Sequence, residues 1–286
     1  MRLIAVSGLI CLLPGLVLAS GRPSFKPKVE IEHRYLNSTS LRNEGGEFAF
    51  GADRLEVSNA LASVSYERWR LNWKELDQLP FGDGQNAPID HMHSVRLGAR
   101  YMYKWSENIR WLSSLGVGMT YEDQTHDSLS LSLFTMWIRQ LEDGWALSYG
   151  AAMSYHPVRS RFLPVAGFSY RMREPLGWSG LLGYPRSYIG YGFTPQWQLS
   201  AGLVNNAIMA KLAEDSQIAA DGYGEIDAWQ ADVALKYQPA EHWSVTSSLR
   251  FSPLYEFTVF DADGNKQDTY TMLPTWGAAL RLSYQF

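Results

Sequence analysis

A chain of 286 residues that is 46% hydrophobic and 14% aromatic has ample apolar material, yet its mean hydropathy is only −0.22. A net charge of −4 gives no basic excess to hold nucleic acid, and the single cysteine rules out a disulfide framework. Beyond residue 19 no apolar run is long enough to span a bilayer as a helix, which excludes a helical membrane protein.

In chain order, Met1 and Arg2 precede an apolar run from Leu3 to Ala19 with small residues before Ser20. This pattern predicts a cleaved secretory signal over residues 1–19 and a single domain over residues 20–286. Cys11 lies inside that signal, so the mature chain has no thiol chemistry, and loss of Arg2 takes its net charge to −5.

Everything that follows alternates. The first strand is expected over Lys28–Tyr35, with Val29, Ile31, His33 and Tyr35 on one face, followed by Glu47–Ser58 and Leu61–Lys74. In the third strand Val64 and Tyr66 give way to Trp69, Leu71 and Trp73, which predicts a bulge near Glu67 and Arg68. After a Pro/Gly/Asp loop come His91–Lys104 and Ile109–Tyr121, then strands near 128–139, 145–155, 161–172, 177–183, 187–193, 197–212, 226–238, 243–256 and 270–286. Residues 207–220 have a short loop helix as an alternative. The last segment sets Met272, Pro274, Trp276, Ala278, Leu280, Leu282, Tyr284 and Phe286 at every second position, and Pro274 must cost it a ladder hydrogen bond.

Half of each strand suits lipid and half a lumen, which reconciles an apolar composition with low hydropathy. The expected fold is all-β: one transmembrane antiparallel up-and-down barrel of about 14 strands, or 12 if the short pair around Pro185 fails. Short connections occur at Ser106–Asn108, Gln140–Gly144, Arg173–Gly177, Thr194–Gln196 and Pro239–His242. Four of them lead directly into Trp145, Trp178, Trp197 and Trp243, a candidate aromatic girdle at the periplasmic interface. The longer loops would then face outward, carrying acids such as Asp83, Asp221 and Asp261.

With that face assigned to lipid, the alternate positions predict a lumen lined by Arg68, Arg70, Arg96, Arg100, Arg110, Arg250 and Arg281. Lys236, Glu30, Glu32 and Asp232 join them, among many Gly, Ser and Ala. Two readings stay open: an arginine-lined constriction that favours anions, or a closed barrel filled with ion pairs. Ser154-Tyr-His156 is the one arrangement suggesting a hydrolase, but both side chains belong to the lumenal set, away from a bilayer substrate. His91 and His93 share a face without further ligands fixed by spacing. No motif calls for a cofactor or metal, and no enzymatic role is expected.

The run Leu163-Pro-Val-Ala-Gly-Phe168, followed by Trp178, Tyr184-Pro185, Ile189-Gly-Tyr191 and Trp197-Gln-Leu199, resembles an uncharacterised family of Gram-negative outer-membrane β-barrels of unknown function. The likeness covers residues 47–286 and is porin-like in kind; solitary autotransporter-like barrels are more distantly similar. It implies the outer membrane as location, with membrane lipid, lipopolysaccharide and the barrel-assembly machinery as partners. Similarity to such barrels also implies that the final strand, through Tyr284 and Phe286, carries the assembly signal. On these grounds the expected function is a passive channel for small solutes or a closed structural barrel. Lipid modification and uptake of hydrophobic compounds through a lateral opening are the alternatives.

Overall fold

The computed structural model describes residues 26–42, 45–171 and 176–286, so the expected signal lies outside the described residues. The strands are β1 (Lys28–Ser40), β2 (Glu47–Ser58), β3 (Ala62–Lys74), β4 (His91–Lys104) and β5 (Ile109–Tyr121). They continue with β6 (Leu129–Gln140), β7 (Trp145–Tyr155), β8 (Arg161–Arg171), β9 (Gly177–Tyr184) and β10 (Arg186–Gly192). The last five are β11 (Trp197–Lys211), β12 (Tyr223–Ala240), β13 (Trp243–Phe260), β14 (Lys266–Met272) and β15 (Thr275–Gln285). From β1 to β14 each pairs antiparallel with its neighbour in sequence, and β15 pairs with β13 and with β1, the latter from Lys28↔Gln285 to Leu36↔Gly277, closing the ring.

β14 and β15 both pair with β13, so they are two halves of one stave, and the barrel has 14. The break falls at Leu273-Pro274, where proline has no N–H to give the ladder; the Thr39 hydroxyl donates to the Leu273 carbonyl there (2.7 Å). Both strands around Pro185 form, which decides for 14 over 12.

Side chains alternate as a lipid-spanning barrel requires. Ile31, Leu55, Val57, Leu97, Leu115, Leu133, Tyr149, Leu199, Leu249 and Leu280 are all exposed on the outer surface. The inner wall carries Ser114, Gly116, Ser132, Ser148, Ser200, Gly202, Ser248 and Ser283.

The bulge expected near Glu67 and Arg68 is absent: β3 keeps one register against β2 and one against β4 throughout. What changes is the polarity of the faces. Trp69 and Leu71 continue the inward row of Ser65 and Glu67 and are buried, while Arg68 and Arg70 continue the outward row of Val64 and Tyr66. Above the apolar belt the outside meets water and the inside is packed, so the pattern inverts without any change of register. Register shifts occur elsewhere, among them one between Leu36 and Thr39 in β1 and one opposite Trp229–Ala231 in β13, where Pro253 occupies the extra position.

The packed interior lies at the long-loop end. Phe48, Trp69, Leu71, Ile89, Met92, Tyr255, Phe257 and Val259 form its buried core, with Phe81 of the loop after β3 set against Trp73, Phe257 and Tyr270. Into this core turns the upper part of the β11–β12 hairpin. Its inward-row residues Ile208, Ala210, Ile226 and Ala228 pack on the cluster. Its outward-row residues Asn205, Lys211 and Glu225 are buried as well, at 2%, 1% and 5% exposure. A wall strand has one lipid face; this hairpin is covered on both.

The tip reaches the opposite wall. Lys211 bridges to Tyr121 of β5 in parallel sense, Glu122 N–H donates to the Lys211 carbonyl, and Ala213 N–H donates to the Glu122 carboxylate, each bond 2.9 Å. The hairpin is therefore a septum across the mouth. Residues 207–211 are strand and 212–222 form hydrogen-bonded turns, so the alternative helix does not exist.

Candidate functional site: the divided lumen

The septum separates two unlike inner walls. On the wall of β1, β2, β13 and β15 the charges neutralise one another. Glu32, 6% exposed, accepts from Arg250 Nη2 at 2.8 Å and from Arg281 Nη2 at 2.6 Å, with Arg34 Nε at 3.7 Å. Arg34 also donates to Glu67, Arg54 to Glu56, and Lys28 pairs with Glu30. Buried carboxylates survive at such sites because each has a cationic, hydrogen-bonding partner.

The wall of β4–β8 carries Arg96, Arg100, Arg110 and Arg161 on its inward rows and no acid. Between it and the septum lies a cavity of about 120 Å³ lined by Arg96, Thr120, Ser154, His156, Arg159, Arg161 and Glu225 among others. Glu225 is the septum's contribution: Arg159 Nη1 donates to it at 3.1 Å and Arg161 binds its other oxygen. Two donors of this cavity, Arg161 Nη1 and His156 Nε2, are buried with no hydrogen-bond partner. The His156 ring stands edge-on to Tyr223 at 5.5 Å, and burial together with the Lys211 cation lowers its pKa to about 4.

Arg96, Arg100, Arg110, Arg250 and Arg281 thus stand on inward rows, but on two walls of different character. Arg68 and Arg70 do not belong with them. They point outward, Arg70 pairing with Asp53, which also hydrogen-bonds His33. Counting alternate positions from Trp69, Leu71 and Trp73 as if those faced lipid assigned these two arginines to the lumen; the inverted polarity of upper β3 is the reason they are outside.

Trp145, Trp178, Trp197 and Trp243 are exposed on the outer surface at the short-turn end. Each meets a tyrosine across the ladder: Tyr170, Tyr191, Tyr237 and Tyr284. Trp111 and Trp137 extend the group. Phe286, 57% exposed, packs edge-on to Tyr284 and donates its N–H to the Pro27 carbonyl at 3.0 Å.

Other candidates resolve into structure. His91 and His93 meet edge-on at 5.1 Å on the outer face, and Tyr66 hydroxyl bonds His93 Nδ1. Ser154 and His156 share the cavity without a hydrogen bond between them; His156 Nδ1 accepts instead from Val158 N–H at 3.3 Å. Asp83 folds its own loop by accepting from the N–H groups of Gln85 and Asn86, which lowers its pKa to about 2. Arg34, Glu67 and Glu225 were missed from sequence. The first two follow from the inward row of β1 and β3, whereas Glu225 lies on an outward row and has no local signal.

No family model and no curated protein matches this sequence. Among solved structures the chain is similar to an outer membrane channel from Pseudomonas putida F1, with TM-score 0.48 and 10% identity over 96% of this chain and 100% of that one. It is also similar to the KdgM porin (TM-score 0.39, 10% identity, 90% of this chain and 99% of that chain). The translocator domain of the autotransporter NalP from Neisseria meningitidis gives TM-score 0.40 and 11% identity over 93% of this chain and 89% of that one.

Proposed function

We propose that the chain is an integral outer-membrane barrel that passes small solutes by diffusion, with the short-turn end in the periplasm and the long loops outside. The observation that carries this reading is the acid-free β4–β8 wall. Its Ser, Gly and Thr side chains border a polar cavity beside the septum together with Arg96 and Arg161, and Arg100 and Arg110 stand lower on the same wall, while the opposite wall neutralises its own charge. Solutes pass on the β4–β8 side, and Arg96, Arg100 and Arg110 give that route a preference for anions. Transport is favoured over catalysis because Ser154 and His156 are not coupled and face the lumen. Tyr284 and Phe286 serve as the assembly signal, and lipopolysaccharide surrounds the long-loop end.

The test is single-channel current with reversal potential, recorded on refolded protein whose barrel is verified by heat-modifiable mobility. Discrete steps with anion preference, weakened in Arg96→Ala and Arg100→Ala, are expected. A correctly folded barrel that stays silent would mean the septum and its core make a closed structural barrel.

A further inference from the structure

The wall is not hydrogen-bonded over its full height. β9 and β10 turn at Tyr184-Pro185-Arg186, whereas their neighbours continue. On this side β8 has ladder partners only from Ala166 to Arg171, leaving Arg161–Val165 without one. β11 pairs with β10 only up to Val204, with one further bond from Asn205 N–H to the Pro185 carbonyl (3.3 Å). Above that point β11 leaves the wall as part of the septum.

This gap lies at membrane depth. Phe162 on the β8 flank is 61% exposed and lies four residues beyond Ala166, the last paired residue, so the apolar outer belt rises past the hairpin tip on that side. The four steps from Ala166 to Phe162 span about 13 Å of strand at ~3.3 Å per residue. With the usual tilt of ~40° that is roughly 10 Å of a belt ~25 Å tall. Unpaired strand edges are not tolerated against hydrocarbon; they occur at this depth only where they line a wet cavity. The cavity behind the gap is the one holding Arg159, Arg161, Glu225 and His156.

We infer that the gap is a lateral portal between the outer leaflet and the lumen, and that the cavity receives the carboxylate of a single-chain amphiphile. This rests on the channel reading, whose substrate class and route it specifies. Arg161 Nη1 and His156 Nε2 are buried donors without partners in this cavity, so the fitting headgroup brings acceptors. Arg159, 40% exposed, is free to turn from Glu225 to an incoming carboxylate. The alkyl chain lies along the gap beside Leu163 and Val165, which also line a smaller apolar cavity of about 40 Å³ with Phe134 and Leu181. Two guanidinium groups beside a space of about 120 Å³ suit a compact anionic headgroup.

The test uses the full chain in nanodiscs, as Cys11→Ser with Ala207→Cys labelled by bimane, because Ala207 lines the cavity. 5-Doxyl-stearic acid is expected to quench this label, 5-doxyl-phosphatidylcholine is not, and excess laurate is expected to reverse the quenching. Arg161→Ala should raise the laurate needed at least tenfold. Arg159→Ala, at a more exposed site, gives the same readout if the first variant fails to fold. Absence of quenching, equal quenching by both probes, or a laurate requirement unchanged by either substitution overturns the portal. Current recorded from the same labelled protein separates the two readings: steps without quenching sink the portal alone, and silence with quenching sinks the open channel.

Discussion

Truncation of Trp69 tests whether the interior core holds the septum in place. The indole is 2% exposed, sits edge-on to Phe50 with centroids 5.4 Å apart, and donates its N–H to Glu67. Trp69→Ala removes that packing from the layer on which Ile208 and Ile226 rest. Glu67 keeps Arg34 as a partner, so no buried carboxylate is orphaned and the loss is one of transfer and cavity energy. Large aromatic-to-alanine changes in a core cost about 3–5 kcal/mol. The variant should therefore lose its folded band in SDS at a lower temperature, and its unfolding free energy from urea titration should fall by that amount. Because the septum then rests on an incomplete layer, single-channel current should rise as well. Trp69→Phe should recover most of both. Unchanged stability and current in Trp69→Ala would refute the idea that this cluster carries the septum; lowered stability with unchanged current would show that the septum stands without it.

Glu32→Gln leaves Arg250 and Arg281 facing each other without their shared carboxylate. Removing one member of a buried pair costs about 3–5 kcal/mol; the lower end is expected because Arg281 is 42% exposed and solvent-screened. The reversal potential should move toward anions, and Arg250→Gln added to Glu32→Gln should restore part of the stability. Acid should weaken the septum through His156, whose pKa of about 4 lies below the ordinary 6.5. The unfolded chain then binds more protons than the folded one between those values. Stability is therefore complete above pH 6.5 and lost as pH falls toward 4, on the order of 3 kcal/mol in all. Urea midpoints at pH 7 and pH 4.5 check this, and His156→Phe should flatten the difference. Asp83 titrates below that window, between its ordinary 3.8 and about 2, so its loop contributes separately.

The strands themselves were legible because alternation is local: a two-residue period and a turn residue suffice to place Glu47–Ser58, His91–Lys104 and Trp145–Tyr155. The outward leucines and the girdle tryptophans follow from the same period. What a residue's neighbours two places away cannot reveal is which medium its face meets. Lower β3 faces lipid with Val64 and Tyr66, and upper β3 faces water with Arg68 and Arg70 in an unbroken register. Only the assembled barrel, with its packed outer half, sets the level at which polarity inverts.

The chemistry of the lumen depends still more on closure. Glu32 meets Arg250 and Arg281 across 218 and 249 residues, and Arg161 meets Glu225 across 64. Glu225 stands on a row that period and alternation assign to lipid; it is buried because the β11–β12 hairpin outgrows its short neighbour and folds inward. Sequence by itself determined an amphipathic sheet that must close on itself in a membrane. The length mismatch between adjacent hairpins, a relation between segments and not a property of any one, decided where the lumen is divided and where its wall is left unpaired.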